Sequence, residues 1–214
     1  MPQDQRRQAA SVWQHHPIQD NPLQQLPALY EAALDEFSQK SFAEASLNDI
    51  IKRAGTNKGS FYYRFRDKMA LYLSLLDLIT RQKLAHFSAK SLNEDFPSDF
   101  FAQIKLLARA GMEFALKEPR VWAVGRQFMA ESEQLKQQVK QAFPDRGKDA
   151  LRRLVEAGAA SGQFRDCFPV EFIFAVVNLL LNNFDALIWP QMTEDQLLQQ
   201  VDRLAELLQH GFAG

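Results

Sequence analysis

The sequence predicts an all-α protein, and three observations support this class. Nine glycines and nine prolines among 214 residues are few for a protein built from many short strands. Apolar residues recur at spacings of three and four along most of the chain, as they do on one face of a helix. No segment shows the sustained alternation of apolar and polar residues that predicts a strand. The pattern indicates about nine helices.

The chain is expected to divide into three parts. The first 22 residues are rich in glutamine, contain three prolines and show no apolar period, so residues 1–22 are predicted to form a flexible arm. Helical spacing begins at Leu23. Residues 23–68 are expected to form a small helical domain and residues 69–214 a larger helical one. The residues that share the inner face of the first helix are Leu26, Leu29, Ala33 and Phe37.

Capping residues predict three further helices after the first. Ser46 has the position of an N-cap and predicts a short helix that ends at Gly55. Asn57 is the predicted N-cap of a helix that reaches Phe65. Asp67 then begins a long fourth helix.

Prolines predict most of the later helix starts, because proline lacks the N–H that the first helical turn leaves unpaired. The helix that begins at Pro169 is expected to continue to the residues before Pro190. A capping box formed by Thr193 and Gln196 predicts the start of the last helix. The other prolines that predict helix starts are Pro97, Pro119 and Pro144.

Composition excludes several classes of protein. With 46% hydrophobic and 24% charged residues, the chain has the balance of a folded globular protein. Its single cysteine, Cys167, excludes an internal disulfide and a cysteine-based zinc site. The most apolar uncharged stretch, from Phe172 to Phe184, has thirteen residues, whereas a bilayer span needs about 20. With no recognisable signal peptide, a cytoplasmic protein is expected. No metal ion and no cofactor are expected.

Basic charge is concentrated in residues 52–68, although the whole chain has a formal charge of only −1. The segment holds six lysines and arginines and one acid, Asp67, so its local charge is +5. A patch of this kind beside short helices favours a polyanionic partner such as DNA. Charge alone also permits a solvated helix face.

Two short helices joined by a glycine turn, the second of them basic and aromatic, are typical of a helix-turn-helix. The second helix would enter the major groove, where residues near its N-terminus read base edges. Gly59 would let the backbone approach DNA closely, and tyrosine hydroxyls would donate to phosphates. Phe61 and Phe65, four residues apart, are expected to face the core. The residues that this pattern predicts to contact DNA are Asn57, Lys58, Gly59, Ser60, Tyr62, Tyr63 and Lys68.

The same region is similar to a known family. It reads Gly59-Ser60-Phe61-Tyr62-Tyr63-Arg64-Phe65, followed by Lys68, and is preceded by Glu36–Phe42 and Ser46–Ile51. Over about residues 25–75 it resembles the N-terminal domain of TetR-family (tetracycline-repressor-like) regulators. The resemblance implies a homodimeric transcriptional repressor that binds a palindromic operator in double-stranded DNA and is released by a small molecule.

The resemblance also implies a role for individual residues. Thr56, Asn57, Lys58 and Tyr63 would lie at or near bases, whereas Ser46, Ser60, Tyr62 and Lys68 would hold the sugar–phosphate backbone. Four positions depart from the family pattern, and they bear on turn geometry and operator sequence. They are Ser41 in place of glycine, Ile51 in place of alanine, Thr56 in place of an apolar residue and Arg64 in place of histidine.

The remaining two thirds would sense a ligand and dimerise. An apolar pocket is the usual small-molecule site, so an apolar or aromatic effector is expected. Asn178 and Asn182 lie four residues apart in an apolar helix, where a buried amide needs a partner. One of them would meet the ligand, a backbone group or the dimer partner. Ordinary core packing is the alternative for the aromatic candidates. The ligand-binding candidates are Phe87, Met112, Phe114, Trp122, Phe128, Met129, Asn178 and Asn182.

The last two helices are the predicted dimer interface. The last helix carries leucine and valine at spacings of four, three and four, a seam that suits helix packing in a bundle. A two-fold dimer would present two recognition helices about 34 Å apart, one turn of DNA. Closing a monomeric core is the alternative for this seam. The predicted interface residues are Phe172, Val176, Leu180, Leu187, Leu197, Val201, Leu204 and Leu208.

Two other classes of function were weighed against a DNA-binding regulator. An enzyme is disfavoured because the sequence contains no HExxH, GxSxG or glycine-rich phosphate-binding motif, and because His86 and His210 are isolated. A helical protein-interaction module is the second alternative. Neither class accounts for the basic patch beside Gly59 and two tyrosines.

Overall fold

A computed structural model describes residues 20–93, 97–143, 146–188 and 191–214. The predicted arm up to Gln19 lies outside the described residues. Asp20 and Asn21 are described, and Asn21 is buried. Its Nδ2 donates to the carbonyl of Ser74 and to Asp77 Oδ2, both at 2.8 Å. The predicted boundary at residue 22 therefore falls within an anchored segment.

Within the described ranges the chain forms ten α-helices, one more than the predicted number, and two short 3₁₀ turns, Pro22–Gln25 and Phe184–Leu187. The only extended pairing there is an isolated bridge between Phe164 and Ala213. The all-α prediction is confirmed. In chain order the helices are α1 (Pro27–Gln39), α2 (Leu47–Arg53), α3 (Lys58–Arg64), α4 (Lys68–Asn93), α5 (Phe100–Lys117), α6 (Pro119–Ala130), α7 (Glu133–Ala142), α8 (Arg146–Ala160), α9 (Val170–Asn182) and α10 (Glu194–Phe212).

Two helix ends differ from the sequence prediction. The first helix begins at Pro27 and not at Leu23, because the preceding residues close a 3₁₀ turn and Pro27 suits a first helical position. The helix after Pro169 ends at Asn182, well before Pro190. Asn183 is its C-cap and leaves the helical conformation, and the Asn183 Nδ2 donates to the carbonyl of Leu179 at 2.7 Å.

The helices form two compact units. The N-terminal unit comprises the described residues of 15–84 and 117–144, and the C-terminal unit those of 85–116 and 145–214. Both α6 and α7 therefore group with α1 to α3, whereas the sequence-based division assigned them to the second domain. Helix α4 contributes to the N-terminal unit up to Leu84 and to the C-terminal unit from Ala85.

The core of the N-terminal unit forms around α1, which packs against α2 and α6. Phe37 and Tyr72 are buried, with ring centroids 4.8 Å apart, and Phe42 stands 5.2 Å from Tyr72. These rings join the end of α1, the following loop and α4.

The core of the C-terminal unit is formed by α5, α8, α9 and α10. Phe100, Phe101 and Phe164 meet edge to face, with centroids 4.9 to 5.8 Å apart. Glycine at position 158 leaves room for this cluster, because a Cβ there would lie too close to the Phe164 ring, at 2.9 Å. No helix in the described part of the chain combines the length and apolar character that crossing a membrane requires.

Candidate DNA-binding surface

The turn between α2 and α3 is fixed by side-chain caps at both helix starts. Ser46 Oγ accepts a hydrogen bond from the Asp49 N–H at 3.3 Å, and Asn57 Oδ1 accepts one from the Ser60 N–H at 2.8 Å. Gly55 has φ of +62°, a conformation that favours glycine. The predicted caps and the glycine turn are confirmed, and together they determine where α3 begins.

Helix α3 has a buried face and an exposed face. Phe61 and Phe65 are buried and their rings stack 5.2 Å apart, as the sequence predicted. On the other side, Tyr62 is 54% exposed and Tyr63 is 87% exposed. An aromatic side chain that a protein leaves this open has both its ring and its hydroxyl available to a partner.

The other residues predicted to contact DNA cluster at the start of α3. Asn57, Lys58 and Gly59 are exposed, and Thr56 and Ser60 are partly so. A Cβ at Gly59 would lie 3.3 Å from Asn57 Oδ1, so glycine also leaves room for the Asn57 cap. The structure therefore brings these residues together on one short solvent-facing surface.

Arg64 adds positive charge beside this surface. Its guanidinium lies 5.9 Å from the centroid of the Tyr63 ring, and its Nη1 donates to the Ser60 carbonyl at 3.4 Å. Both contacts orient an exposed cation alongside the tyrosine. The departure from the family pattern at this position is thus accommodated within α3 itself.

Lys68 has partners that the sequence did not predict. Its Nζ donates to the carbonyls of Phe42, Ala43 and Ala45 at 2.6, 3.2 and 2.9 Å. The same Nζ lies 4.7 Å from the Phe42 ring centroid. Burial lowers the pKa of this ammonium, which nearby acidic charges partly oppose. The Lys68 ammonium therefore holds the loop before α2. The sequence had instead predicted that Lys68 would contact a phosphate of DNA.

Two residues of the helix-turn-helix region that sequence reasoning missed are Glu36 and Arg53. Glu36 lies on the buried face of α1 and binds Lys40, the Ser46 N–H and Arg53. A signal existed, because Glu36 shares the apolar face that Ala33 and Phe37 define. A carboxylate in that position needs partners from outside the helix.

Both ends of α6 also hold the helix-turn-helix region, which the sequence did not indicate. Arg120 donates to Glu31 at 2.7 Å and to Asp35 at 2.5 Å on α1, and these carboxylates raise its pKa. At the other end, Glu131 accepts a hydrogen bond from the Phe42 N–H. These partners lie more than 80 residues away in the chain, so local patterns could not reveal them.

The ligand-binding candidates are divided between the two units. Phe87, Met112 and Phe114 are buried in the C-terminal unit. Trp122, Phe128 and Met129 lie on α6 in the N-terminal unit, where Met129 is exposed. Asn182 Nδ2 donates to Asn178 Oδ1 at 3.1 Å, so these two amides partner each other on the surface of α9. The amides thus have a partner that requires no ligand.

Four of the predicted interface residues need correction. Leu197, Val201, Leu204 and Leu208 are all buried in the core of the C-terminal unit, because the seam of α10 faces α5, α8 and α9. Their spacing was a core signal and leaves them inaccessible to a partner.

The outward faces of α9 and α10 carry other apolar residues. Of the predicted set, Phe172 is 49% exposed, while Val176, Leu180 and Leu187 are partly buried. Leu179 and Leu207 are 61% and 63% exposed, and of these two the sequence analysis missed Leu207.

Among the described residues, no group of three or more histidine, cysteine, aspartate or glutamate side chains is arranged to hold a metal ion. The chemistry of the surface around α3 is instead that of hydrogen-bond donors, cations and aromatic rings.

Comparison with known proteins agrees with this geometry. Residues 29–75 match the family model of bacterial regulatory proteins of the tetR family. The chain carries a TetR-family N-terminal domain. The match begins inside α1 and ends inside α4, so it contains all of α2 and α3 and every residue predicted to contact DNA.

Curated relatives include proteins named as a transcriptional regulator and as an operon repressor. The HTH-type transcriptional regulator RutR of Escherichia coli K12 is 37% identical over 93 residues, 44% of this chain and 42% of RutR. The probable acrEF/envCD operon repressor of the same strain is 26% identical over 96 residues, 45% of this chain and 43% of that protein. The alignments thus span about two fifths of these relatives.

The similarity to solved structures extends over more of the chain. The crystal structure of FadR from Bacillus subtilis in complex with stearoyl-CoA aligns with a TM-score of 0.67. The alignment covers 86% of this chain and 97% of FadR at 14% identity. At this identity the similarity shows a shared fold.

Proposed function

We propose that this protein is a sequence-specific DNA-binding transcriptional regulator that acts as a homodimeric repressor. The observation that carries the proposal is the exposed start of α3, where Lys58, Tyr62 and Tyr63 stand on a helix capped and anchored by its buried side. Helix N-terminal residues read base edges in the major groove, and tyrosine hydroxyls donate to phosphates. The relatives named as transcriptional regulators and as an operon repressor support the same role.

The proposed dimer would form through the outward faces of α9 and α10. Phe172, Leu179 and Leu207 are large apolar side chains left open to solvent, and a second copy would remove them from water. A two-fold axis there would give two α3 helices for two half-sites of a palindromic operator.

The proposed effector is an apolar small molecule bound in the C-terminal unit. Phe87, Met112 and Phe114 are the candidate contacts that lie there. A ligand that binds better to a conformation with misplaced α3 helices weakens DNA binding by linkage. Helix α4 contributes residues to both units and is the proposed connection between the two sites. The proposal implies a cytoplasmic protein.

Selection of bound duplexes from a random DNA pool tests the proposal. It is run at near-physiological salt, because non-specific affinity depends steeply on salt. Enrichment of a palindromic site by the wild type, and its loss in a Lys58→Ala/Tyr63→Ala double variant, is the expected result. No enrichment by protein that is folded, dimeric and refolded free of copurified ligand would refute it.

A further inference from the structure

A single buried carboxylate connects three helix ends in the helix-turn-helix region. Glu36 is only 4% exposed. Its Oε1 accepts hydrogen bonds from Lys40 Nζ at 2.7 Å and from the Ser46 N–H at 2.9 Å. Its Oε2 accepts one from Arg53 Nη2. Lys40 caps the end of α1, Ser46 caps the start of α2, and Arg53 is the last residue of α2.

This arrangement constrains the approach to α3. Arg53 precedes Gly55 by two residues, and the turn at Gly55 leads directly to Asn57, the N-cap of α3. A displaced Arg53 would therefore change the start of the turn from which α3 emerges. Glu36 holds both ends of α2 relative to α1 through charge-assisted hydrogen bonds, which are short and directional.

Burial of the Glu36 carboxylate costs desolvation free energy. Its neighbours on the same face of α1, Leu29, Ala33 and Phe37, are apolar and buried. Burial by itself raises the pKa of Glu36, but the hydrogen bonds from Lys40 and Ser46 and the charges of Lys40 and Arg53 outweigh it and lower the pKa. Glu36 is thus ionised at neutral pH. An apolar side chain would fill the site without this desolvation.

We propose that Glu36 is a positioning residue for DNA recognition, which orients α2 and thereby α3 without touching DNA. This inference rests on the proposed function. It predicts that loss of the carboxylate impairs the reading of sequence more than it impairs general attraction to DNA. A purely structural role would instead lower both affinities together with the melting temperature.

Glu36→Gln keeps the shape of the side chain and removes its charge. Glu44→Gln is the matched control, because Glu44 is an exposed carboxylate in the adjacent loop that bonds only Ser41 among the described residues. Affinity is measured by fluorescence anisotropy on the duplex recovered by selection and on a scrambled duplex of equal length. Hydrogen exchange of residues 54–65 in the free protein reports the order of the turn and of α3.

The expected result is a loss of about 10-fold or more on the selected duplex and of less than about 2-fold on the scrambled one, with faster exchange across residues 54–65. Glu44→Gln should match the wild type in every measurement. Equal losses on both duplexes, or wild-type affinity and exchange in Glu36→Gln, would overturn the inference. Wild-type protein that binds both duplexes equally would overturn the proposed function, and the inference with it.

Arg53→Gln provides a second test should Glu36→Gln fail to fold, because Arg53 is half-exposed and Glu36 would keep its hydrogen bonds from Lys40 and Ser46. The expected result is the same selective loss with an unchanged salt dependence of affinity. A uniform loss on both duplexes, with the salt slope reduced by about 1, would identify Arg53 as a phosphate contact and overturn the inference.

Discussion

Both units expose large side chains, but the chemistry around those side chains differs. On α3 the exposed groups are tyrosines, with a lysine and an arginine beside them. On α9 and α10 they are Phe172, Leu179 and Leu207, which carry no polar atom. The first surface suits a charged, hydrated partner and the second a partner that excludes water. Exposure alone therefore locates a surface, while the neighbouring groups indicate what binds it.

The largest expected effect comes from the inner side of α10. Leu204→Ala should lower the free energy of unfolding by about 2–5 kcal/mol, because the side chain is buried and its loss leaves a cavity. Chemical denaturation followed by circular dichroism measures this change. A Leu204→Ala protein that kept its stability but became monomeric would show instead that the inner face of α10 forms the dimer interface.

The outward faces of α9 and α10 should control assembly. Leu179→Glu/Leu207→Glu is expected to give monomers at concentrations where the wild type is dimeric, since it inserts charges into a surface that must lose water. Loss of two-site binding should weaken operator affinity by about 100-fold. Sedimentation velocity and anisotropy measure the two effects.

Gln138→Glu is the control for this pair, because it adds a negative charge at an exposed position of α7. It should leave the dimer intact. If the double variant stays dimeric while binding DNA normally, the apolar surface of α9 and α10 serves some other partner.

A smaller effect is expected at the start of α3. Lys58→Ala should weaken operator binding by about 1–3 kcal/mol if Lys58 contacts a base, and by much less on random DNA. Lys140→Ala removes an exposed positive charge from α7 and controls for net charge. Anisotropy titrations on both duplexes separate the cases, since equal losses would make Lys58 a phosphate contact.

The smallest effect concerns acid stability in the C-terminal unit. Burial by itself raises the pKa of Asp202, but hydrogen bonds from Arg109 and Lys105 outweigh it, and the pKa falls below its ordinary value of 3.8. Its stabilising contribution is therefore complete above that value and is lost as the pH falls through the lowered pKa.

Asp202→Asn should be less stable than the wild type at neutral pH and should show a flatter loss of stability below about pH 4. Urea denaturation at several pH values measures both curves. Parallel curves for the two proteins would mean that the ion pairs with Arg109 and Lys105 contribute nothing to stability.

Local signals in the sequence were sufficient for the helix-turn-helix. Ser46, Asn57 and Asp67 are capping residues whose hydrogen bonds stay within three positions of the chain, and Gly55 needs only its own φ. The partners of Glu36 on α2, and those of Lys68 and Arg120, lie 10 to 89 residues away. No local pattern encodes such contacts.

Periodicity was less informative in the C-terminal unit. The spacing of Leu197, Val201, Leu204 and Leu208 identified one face of α10 correctly, but it could not tell a face buried in the protomer from one buried against a partner. Both choices remove the same apolar area from water, so the hydrophobic effect gives them the same pattern. The direction of the face depends on the tertiary arrangement of the other helices.

The contact between α1 and α6 also affects when the N-terminal unit can fold during synthesis. Arg120 and Asp35 are 85 residues apart, and all of residues 85–116 separate the two parts of the N-terminal unit. At synthesis rates of about 5–20 residues per second, α1 leaves the ribosome roughly 4–17 seconds before its partner helix. The nascent chain therefore completes the N-terminal unit only after residues 85–116, the first part of the C-terminal unit, have been translated.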